Sequence, residues 1–246
     1  YNIIIMSLIP LISEVTSNID NEVIKEMANL GVIFGHKKSK THPKMKPFIG
    51  GQRNEIALID PEATLDKLGK AISFLNEKIS QGGLILLVGT SSAAKDGIQK
   101  FASEFKFPYV ISRWLGGTLT NFKVINQRLT YYQELRAKRE SGEFSKYTKK
   151  EQLQFNEQIK KMANFFDGLE NLKKIPDGIF IVDIKEHETA LREARQLGIP
   201  IIAIVDTDDD PTLVDYPIFA SDRVKPSIEW VIGKIIAGVT KPTTNI

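Results

Sequence analysis

Cysteine is absent from the 246-residue chain. Its absence excludes disulfides, thiolate nucleophiles and cysteine-ligated metal, and it fits a reducing compartment. Histidine is scarce: only His36, His42 and His187 can carry imidazole chemistry. Long apolar runs are also missing. The opening YNIIIMSLIPLI is short, is broken by Pro10 and lacks the basic leading region and small-residue cleavage site of a secretory signal, so neither a leader nor a membrane span is expected. Met6 reads as a candidate initiator. Nor is there a net charge of one sign, since 33 Lys and Arg against 30 Asp and Glu leave +3. The kind of partner must therefore be argued from where the charge lies, not from its sum. A hydrophobic content of 42% is enough to build a sizeable core.

Short apolar, β-branched runs recur along the chain, each followed by a segment of helical period. They are EIALI (55–59), LILLVG (84–89), PYVIS (108–112), GIFIVD (178–183) and PIIAIVD (200–206). The alternation predicts an α/β fold, a parallel sheet with helices on both faces. Asp60-Pro61 predicts a capped helix start, and Thr90 or Ser91 a second one. About seventy residues between the strands at 108 and 178 lack strand character. Phe122, Ile125, Leu129 and Tyr132, then Phe155, Ile159, Met162, Phe166 and Leu169, fall at spacings of three and four. They predict an inserted, coiled-coil-like helical hairpin whose second arm opens on the capping box Thr148 to Glu151. The expected division is an N-terminal extension or helix (1–26), a discontinuous α/β body (27–118 and 173–240), the hairpin (119–172) and a tail (241–246).

Enzymatic chemistry finds little support. GTSSAAKD (89–96) stands where a phosphate loop would, after a strand and before a helix, but Ala94 and Asp96 flank Lys95 where a Walker motif needs Gly and a hydroxyl residue. A nucleotide-binding enzyme or sensor using this loop remains the alternative function. VDTDDDP (205–211) begins like a calcium loop and then fails, with Pro211 in place of the turn glycine; it reads as a solvated acidic loop. His36 and His42 have no Cys or carboxylate between them, so no metal site is expected from spacing. No Ser, His and Asp grouping has a nucleophile-elbow context, and no catalytic residue is expected.

Cationic segments are the positive feature. From His36 to Arg53 the chain carries Lys37, Lys38, Lys40, Lys44, Lys46 and Arg53 with no Asp or Glu. Gly and Pro punctuate the stretch, which predicts an extended loop able to follow a phosphate track. SRWLGGTLTNFK (112–123) adds Arg113 and Lys123 around Gly116-Gly117, where a backbone can approach a ligand closely. For the hairpin cations Arg128, Arg136, Lys138 and Arg139 a solvated face explains the charge as well as a contact does, whereas for the Lys37–Lys46 loop, with no balancing carboxylate, RNA contact is favoured. Trp114, following a buried-type strand, reads as core, and Phe48 is left undecided. The acidic residues of the body are expected to face away from these loops.

GVIFGH (31–36), PKMKPFI (43–49), RWLGGTLTNF (113–122), IPDGIFIVD (175–183) and LGIPIIAIVDTDDDP (197–211) stand in the order and spacing of one family. Over residues 27–240 the chain resembles the bacterial-type small-subunit ribosomal protein conventionally numbered two. The resemblance implies a Rossmann- or flavodoxin-like body with an inserted hairpin. It implies no catalytic activity, and binding to 16S-type small-subunit rRNA between head and body, in support of translation. The implied partners are that RNA, neighbouring small-subunit proteins and, in many members, the large ribosomal protein of repeated OB-fold domains. No membrane partner is implied. The implied location is ribosome-bound in the cytoplasm, an organelle being the other address. Carried over by position, the RNA-facing residues are His36, Lys44, Lys46, Arg53, Arg113, Gly116, Gly117, Thr118, Asn121 and Lys123, to which the charge pattern adds Lys37, Lys38 and Lys40. No cofactor is expected; the Asp206, Asp208 and Asp210 cluster leaves open only a Mg²⁺ ion shared with rRNA phosphates. The chain departs from the family at Ile33, where a first His is usual, and at PIFASDR (217–223).

Overall fold

The structure, a computed structural model, describes residues 21–240; the expectations for residues 1–20 and for the tail from 241 lie outside the described residues. After helix α1 (Asn21–Asn29) come three short strands, β1 (Phe34–Lys37), β2 (Ile49–Arg53) and β3 (Ile56–Ile59), which form a small antiparallel sheet of order β1-β3-β2. The run EIALI therefore belongs to this sheet and not, as expected, to the parallel one. A two-residue turn decides it. Asn54 and Glu55 adopt positive φ (47° and 66°), and Arg53 pairs directly with Ile56, the geometry of a tight hairpin whose local pairing forms more readily than one with a distant strand.

The main sheet comprises β4 (Ile85–Val88), β5 (Tyr109–Val110), β6 (Gly178–Val182), β7 (Ile201–Val205) and β8 (Tyr216–Phe219), all parallel, in the order β5-β4-β6-β7-β8. Taken in chain order, these strands have the flavodoxin-like arrangement, with a topological switch point between β4 and β6. Strand β8 gave no signal as a strand because Pro217 lies in it. It occupies the sheet edge, where a missing backbone donor is tolerated.

Period-two alternation sends successive strand residues to opposite faces. Ile85, Leu87, Phe180, Val182, Ile202 and Ile204 join one core with residues of α1, α2 (Pro61–Ser80), α3 (Lys95–Phe105) and α7 (Lys225–Gly238). Leu86, Val88, Ile179, Ile181, Ala203 and Val205 join the other, with α6 (Glu188–Gln196), Met45, Ile59 and the hairpin α4 (Phe122–Glu140) and α5 (Lys149–Phe166). Within the hairpin Ile125, Leu129, Tyr132, Ile159 and Phe166 are buried. The predicted capping box is present: Glu151 N donates to Thr148 Oγ1 at 3.4 Å, and Thr148 N to Glu151 Oε2 at 2.9 Å. Asp60 caps α2 as expected, accepting from Glu62 N at 3.0 Å. Helix α3 departs from expectation. It starts at Lys95 behind Ala94, which has no side-chain cap; Thr90 is bonded to Glu186, and Ser91 Oγ accepts from Ala94 N at 3.3 Å in the turn that leads into the helix.

Candidate nucleic-acid interface

Two loops at the carboxyl edge of the parallel sheet carry most of the expected contact residues. The first, following β5, runs from Ser112 to Asn121 and is organised by an acid from another helix. Glu193 on α6 is 7% exposed. Its Oε1 accepts from Trp114 Nε1 at 3.0 Å and Gly117 N at 2.8 Å, and its Oε2 from Leu119 N at 3.0 Å, Thr120 N at 3.1 Å and Thr120 Oγ1 at 3.2 Å. Burial alone pushes the carboxyl up, but these donors outweigh it and hold Glu193 below the usual carboxylate range. Gly117 meets the turn with φ +88°, a conformation that a side chain would strain. The result is a preorganised loop with Arg113, Gly116, Asn121 and Lys123 exposed around it. Thr118 does not belong with them. It is 1% exposed and its hydroxyl donates to the Leu115 carbonyl at 2.6 Å, so it shapes the turn from within. Trp114 is half-buried and committed to Glu193, in keeping with its reading as core.

A cleft of ≈ 400 Å³ lies beside this loop, at the switch point where α/β folds place nucleotides. Its wall is already engaged. Thr90 Oγ1 donates to Glu186 Oε1 at 2.6 Å and lies 3.1 Å from His187 Nε2, while His187 Nδ1 lies 2.8 Å from the Asp183 carbonyl. That carbonyl fixes the Nδ1-protonated tautomer. Glu186 at the wall carries charge of the same sign as phosphate, while Arg113 lines the same cleft.

The second loop is the cationic segment, and it is neither extended nor loosely held. Short 3-10 turns at Lys38–Lys40 and Pro43–Phe48 fold it, the latter started by Pro43 with His42 Nδ1 accepting from Lys44 N at 3.3 Å. Its footing is the acidic loop after β7, contrary to the expectation that carboxylates face elsewhere. His36 N donates to Thr207 Oγ1 and His42 N to Thr207 O, each at 2.8 Å. Gly35 permits this approach, since a Cβ there would stand 2.3 Å from Thr207 Cγ2. Lys44 Nζ bonds Asp210 Oδ2 and Thr212 Oγ1, both at 2.8 Å. Burial pushes Asp210 up, but the donors of Lys44 and Thr212 hold it down at about 2.

The expected contact residues thus divide. Lys37, Lys38, Lys40 and Lys46 are exposed, and among the described residues none is paired with a carboxylate. Arg53 is half-exposed at the end of β2. Lys44 is tethered to Asp210. His36, 9% exposed, is buried against Asp206 and Asp208 and is not a surface contact, because the loop that carries Thr207 closes over it. Nor is the acidic loop solvated as expected: Asp206 and Asp209 are each 1% exposed. Burial, with further help from Asp208 and Asp183, raises Asp209 to about 7. Asp222 is raised to about 9 by burial and then by Asp206, Asp183, Asp209 and Asp208. Phe48 stacks on Phe219 at 4.3 Å and is part of the packing.

Sequence comparison decides the family. The model of the family described as ribosomal protein S2 matches residues 27–241. The chain belongs to the ribosomal protein S2 family. It is 41% identical over 212 residues to the small ribosomal subunit protein uS2 of Coprothermobacter proteolyticus, covering 86% of this chain and 79% of that one. To the uS2 protein of Dictyoglomus thermophilum it is 42% identical over 213 residues, 87% of each chain. To that of Thermus thermophilus it is 39% identical over 229 residues, 90% of each. Members of the family are structural proteins, not enzymes, and the nucleotide-dependent alternative has no support. Among the described residues no helix is long and apolar enough to cross a membrane.

Missing from the sequence reading were Glu193 and the pairing of the cationic segment with the 206–212 loop. A signal for Glu193 exists: Ala190, Leu191 and Ala194 mark the buried face of α6, and position 193 lies three residues from Ala190 on that face.

Proposed function

We propose that the chain is a structural component of the small ribosomal subunit that binds ribosomal RNA along the carboxyl edge of its sheet. One observation carries the reading. Lys37, Lys38, Lys40 and Lys46 on one loop and Arg113 and Lys123 on the other project exposed cations from that edge, on loops fixed from beneath by buried polar contacts. Fixed cations match a fixed phosphate track with little ordering cost on binding. The resemblance supplies the finer placement, between head and body of the subunit. Neighbouring ribosomal proteins, the OB-fold-repeat protein among them, would be met by the hairpin, which exposes Val124, Tyr131, Tyr147 and Leu153.

The test is binding of the purified chain to small-subunit rRNA across a salt series. Wild type should bind tightly at low ionic strength. Replacing Lys37, Lys38 and Lys46 with Ala should flatten the logarithmic salt slope by roughly 0.7–0.9 per lost phosphate contact. An unchanged slope would refute this loop as a phosphate clamp. Arg113→Lys should weaken binding too, because an ammonium cannot reproduce a bidentate guanidinium contact.

A further inference from the structure

The cleft at the switch point holds two charged side chains that do not neutralise each other. Arg113, in the loop after β5, and Glu186, in the segment after β6, line the same space of ≈ 400 Å³. Among the described residues the Arg113 side chain makes neither an ion pair nor a hydrogen bond. Glu186 is positioned from two sides. Its Oε1 accepts from Thr90 Oγ1 at 2.6 Å, and its backbone N donates to Asp183 Oδ1 at 3.0 Å. Its Oε2 has no partner among the described residues.

The remaining walls suit a flat ring. Trp114 lines the cleft, and the bond from its Nε1 to Glu193 Oε1 at 3.0 Å pins the indole, which makes a fixed apolar surface. At Gly116, also in the wall, a side chain would meet nothing within 4 Å, so an occupant can come close to the backbone there. The volume lies within the roughly 300–1,000 Å³ of small-ligand sites. A carboxylate only accepts hydrogen bonds and a guanidinium only donates them. An occupant that satisfies both must offer donors to Glu186 and acceptors to Arg113.

Among the four RNA bases guanine alone places two donors side by side, N1–H and the N2 amine. Its O6 and N7 accept on the neighbouring edge, the commonest target of arginine. We infer that Arg113, Glu186 and Trp114 form a pocket for one unpaired guanine base of RNA. The inference rests on the reading of the chain as RNA-binding and adds base recognition to a surface whose lysines hold phosphates of any sequence. A free guanine nucleotide shares the base chemistry. The strand is the better occupant, because it also engages the exposed cations along the same edge, whereas a mononucleotide brings little beyond its base and a phosphate that Glu186 repels.

The probe is single-stranded oligouridylate carrying one central guanine, hypoxanthine, adenine or cytosine, bound to the full chain and read by fluorescence anisotropy. The guanine oligomer should bind at least about fivefold more tightly than those with adenine or cytosine, with hypoxanthine, which lacks the exocyclic amine, in between. Glu186→Gln should erase the preference and leave the salt slope unchanged, whereas Lys37→Ala should weaken all four oligomers alike. If Glu186→Gln fails to fold, the wild-type base series decides alone. Equal affinity for the four bases with the salt dependence intact, or a guanine preference that survives Glu186→Gln, would overturn this inference and leave the RNA reading standing. Absence of salt-sensitive binding would overturn both. GMP binding as tightly as the guanine oligomer would overturn RNA as the occupant.

Discussion

Replacing Glu193 tests how the Arg113 loop is held. The carboxylate accepts from Trp114, Gly117, Leu119 and twice from Thr120 while 7% exposed. Hydrogen bonds to a charged group contribute about 1.5–3 kcal/mol each, and a buried donor left without an acceptor costs about 1–3 kcal/mol. The contributions do not add, since the loop can open to water. For Glu193→Ala a loss of about 3–5 kcal/mol is expected, by analogy with removing one partner of a buried charged network. For Glu193→Gln about 2–3 kcal/mol is expected, because the amide keeps one acceptor and turns N–H groups toward other donors. Urea unfolding followed by tryptophan fluorescence measures this; with a slope of about 2–3 kcal/mol per M, the Gln variant's midpoint should fall by roughly 1 M. The sign with pH follows from the depressed folded value. Glu193 contributes its stability in full above the unfolded value of about 4.3 and loses it as pH falls through the lower folded one. The difference between wild type and Gln should therefore shrink in acid. A Gln variant with an unchanged midpoint at neutral pH would refute the claim that this carboxylate holds the loop.

Gly35→Ala should destabilise the chain by about 1–3 kcal/mol and loosen the cationic segment, because the new methyl would meet Thr207 at 2.3 Å; proteolysis within residues 37–48 should accelerate. Tyr132, 1% exposed, is raised to about 12 by burial and then by Asp167, to which its hydroxyl donates. Its contribution is complete below the unfolded value of about 10 and disappears as pH rises toward 12. Spectrophotometric titration should find one tyrosine ionising late, and Tyr132→Phe should abolish that phase. Thr148→Ala should cost about 1 kcal/mol by removing the cap of α5, read as a lower Tm with unchanged RNA affinity.

What was legible in the sequence was what neighbours decide. Uniformly apolar runs such as Ile85–Val88 and Gly178–Val182 declare strands covered on both faces, and Thr148 with Glu151 declares a helix start within four residues. What was hidden depends on contacts across the chain. His36 and Thr207 are 171 positions apart, and Trp114 and Glu193 are 79 apart. A run of lysines looks alike whether carboxylates lie beneath it or not. EIALI misled for a related reason: four apolar residues do not reveal which sheet they enter, whereas the positive-φ pair before them does. Pro217 concealed β8 because an edge position, which excuses proline, is itself a property of the finished sheet.

The placement of the hairpin between β5 and β6 bears on the order in which the protein is made. Translation delivers β4 and β5 first, then both arms, and only afterwards the strand that closes the other side of β4. Until β6 emerges, one flank of β4 offers unpaired backbone groups, the kind of edge that invites association between nascent chains. The two arms would be complete by then, and Ile125, Leu129 and Phe166, which end in the same core as Leu86 and Val88, are on hand to cover the waiting strands. An insertion that looks like an appendage in the finished molecule would thus serve as a temporary roof during synthesis.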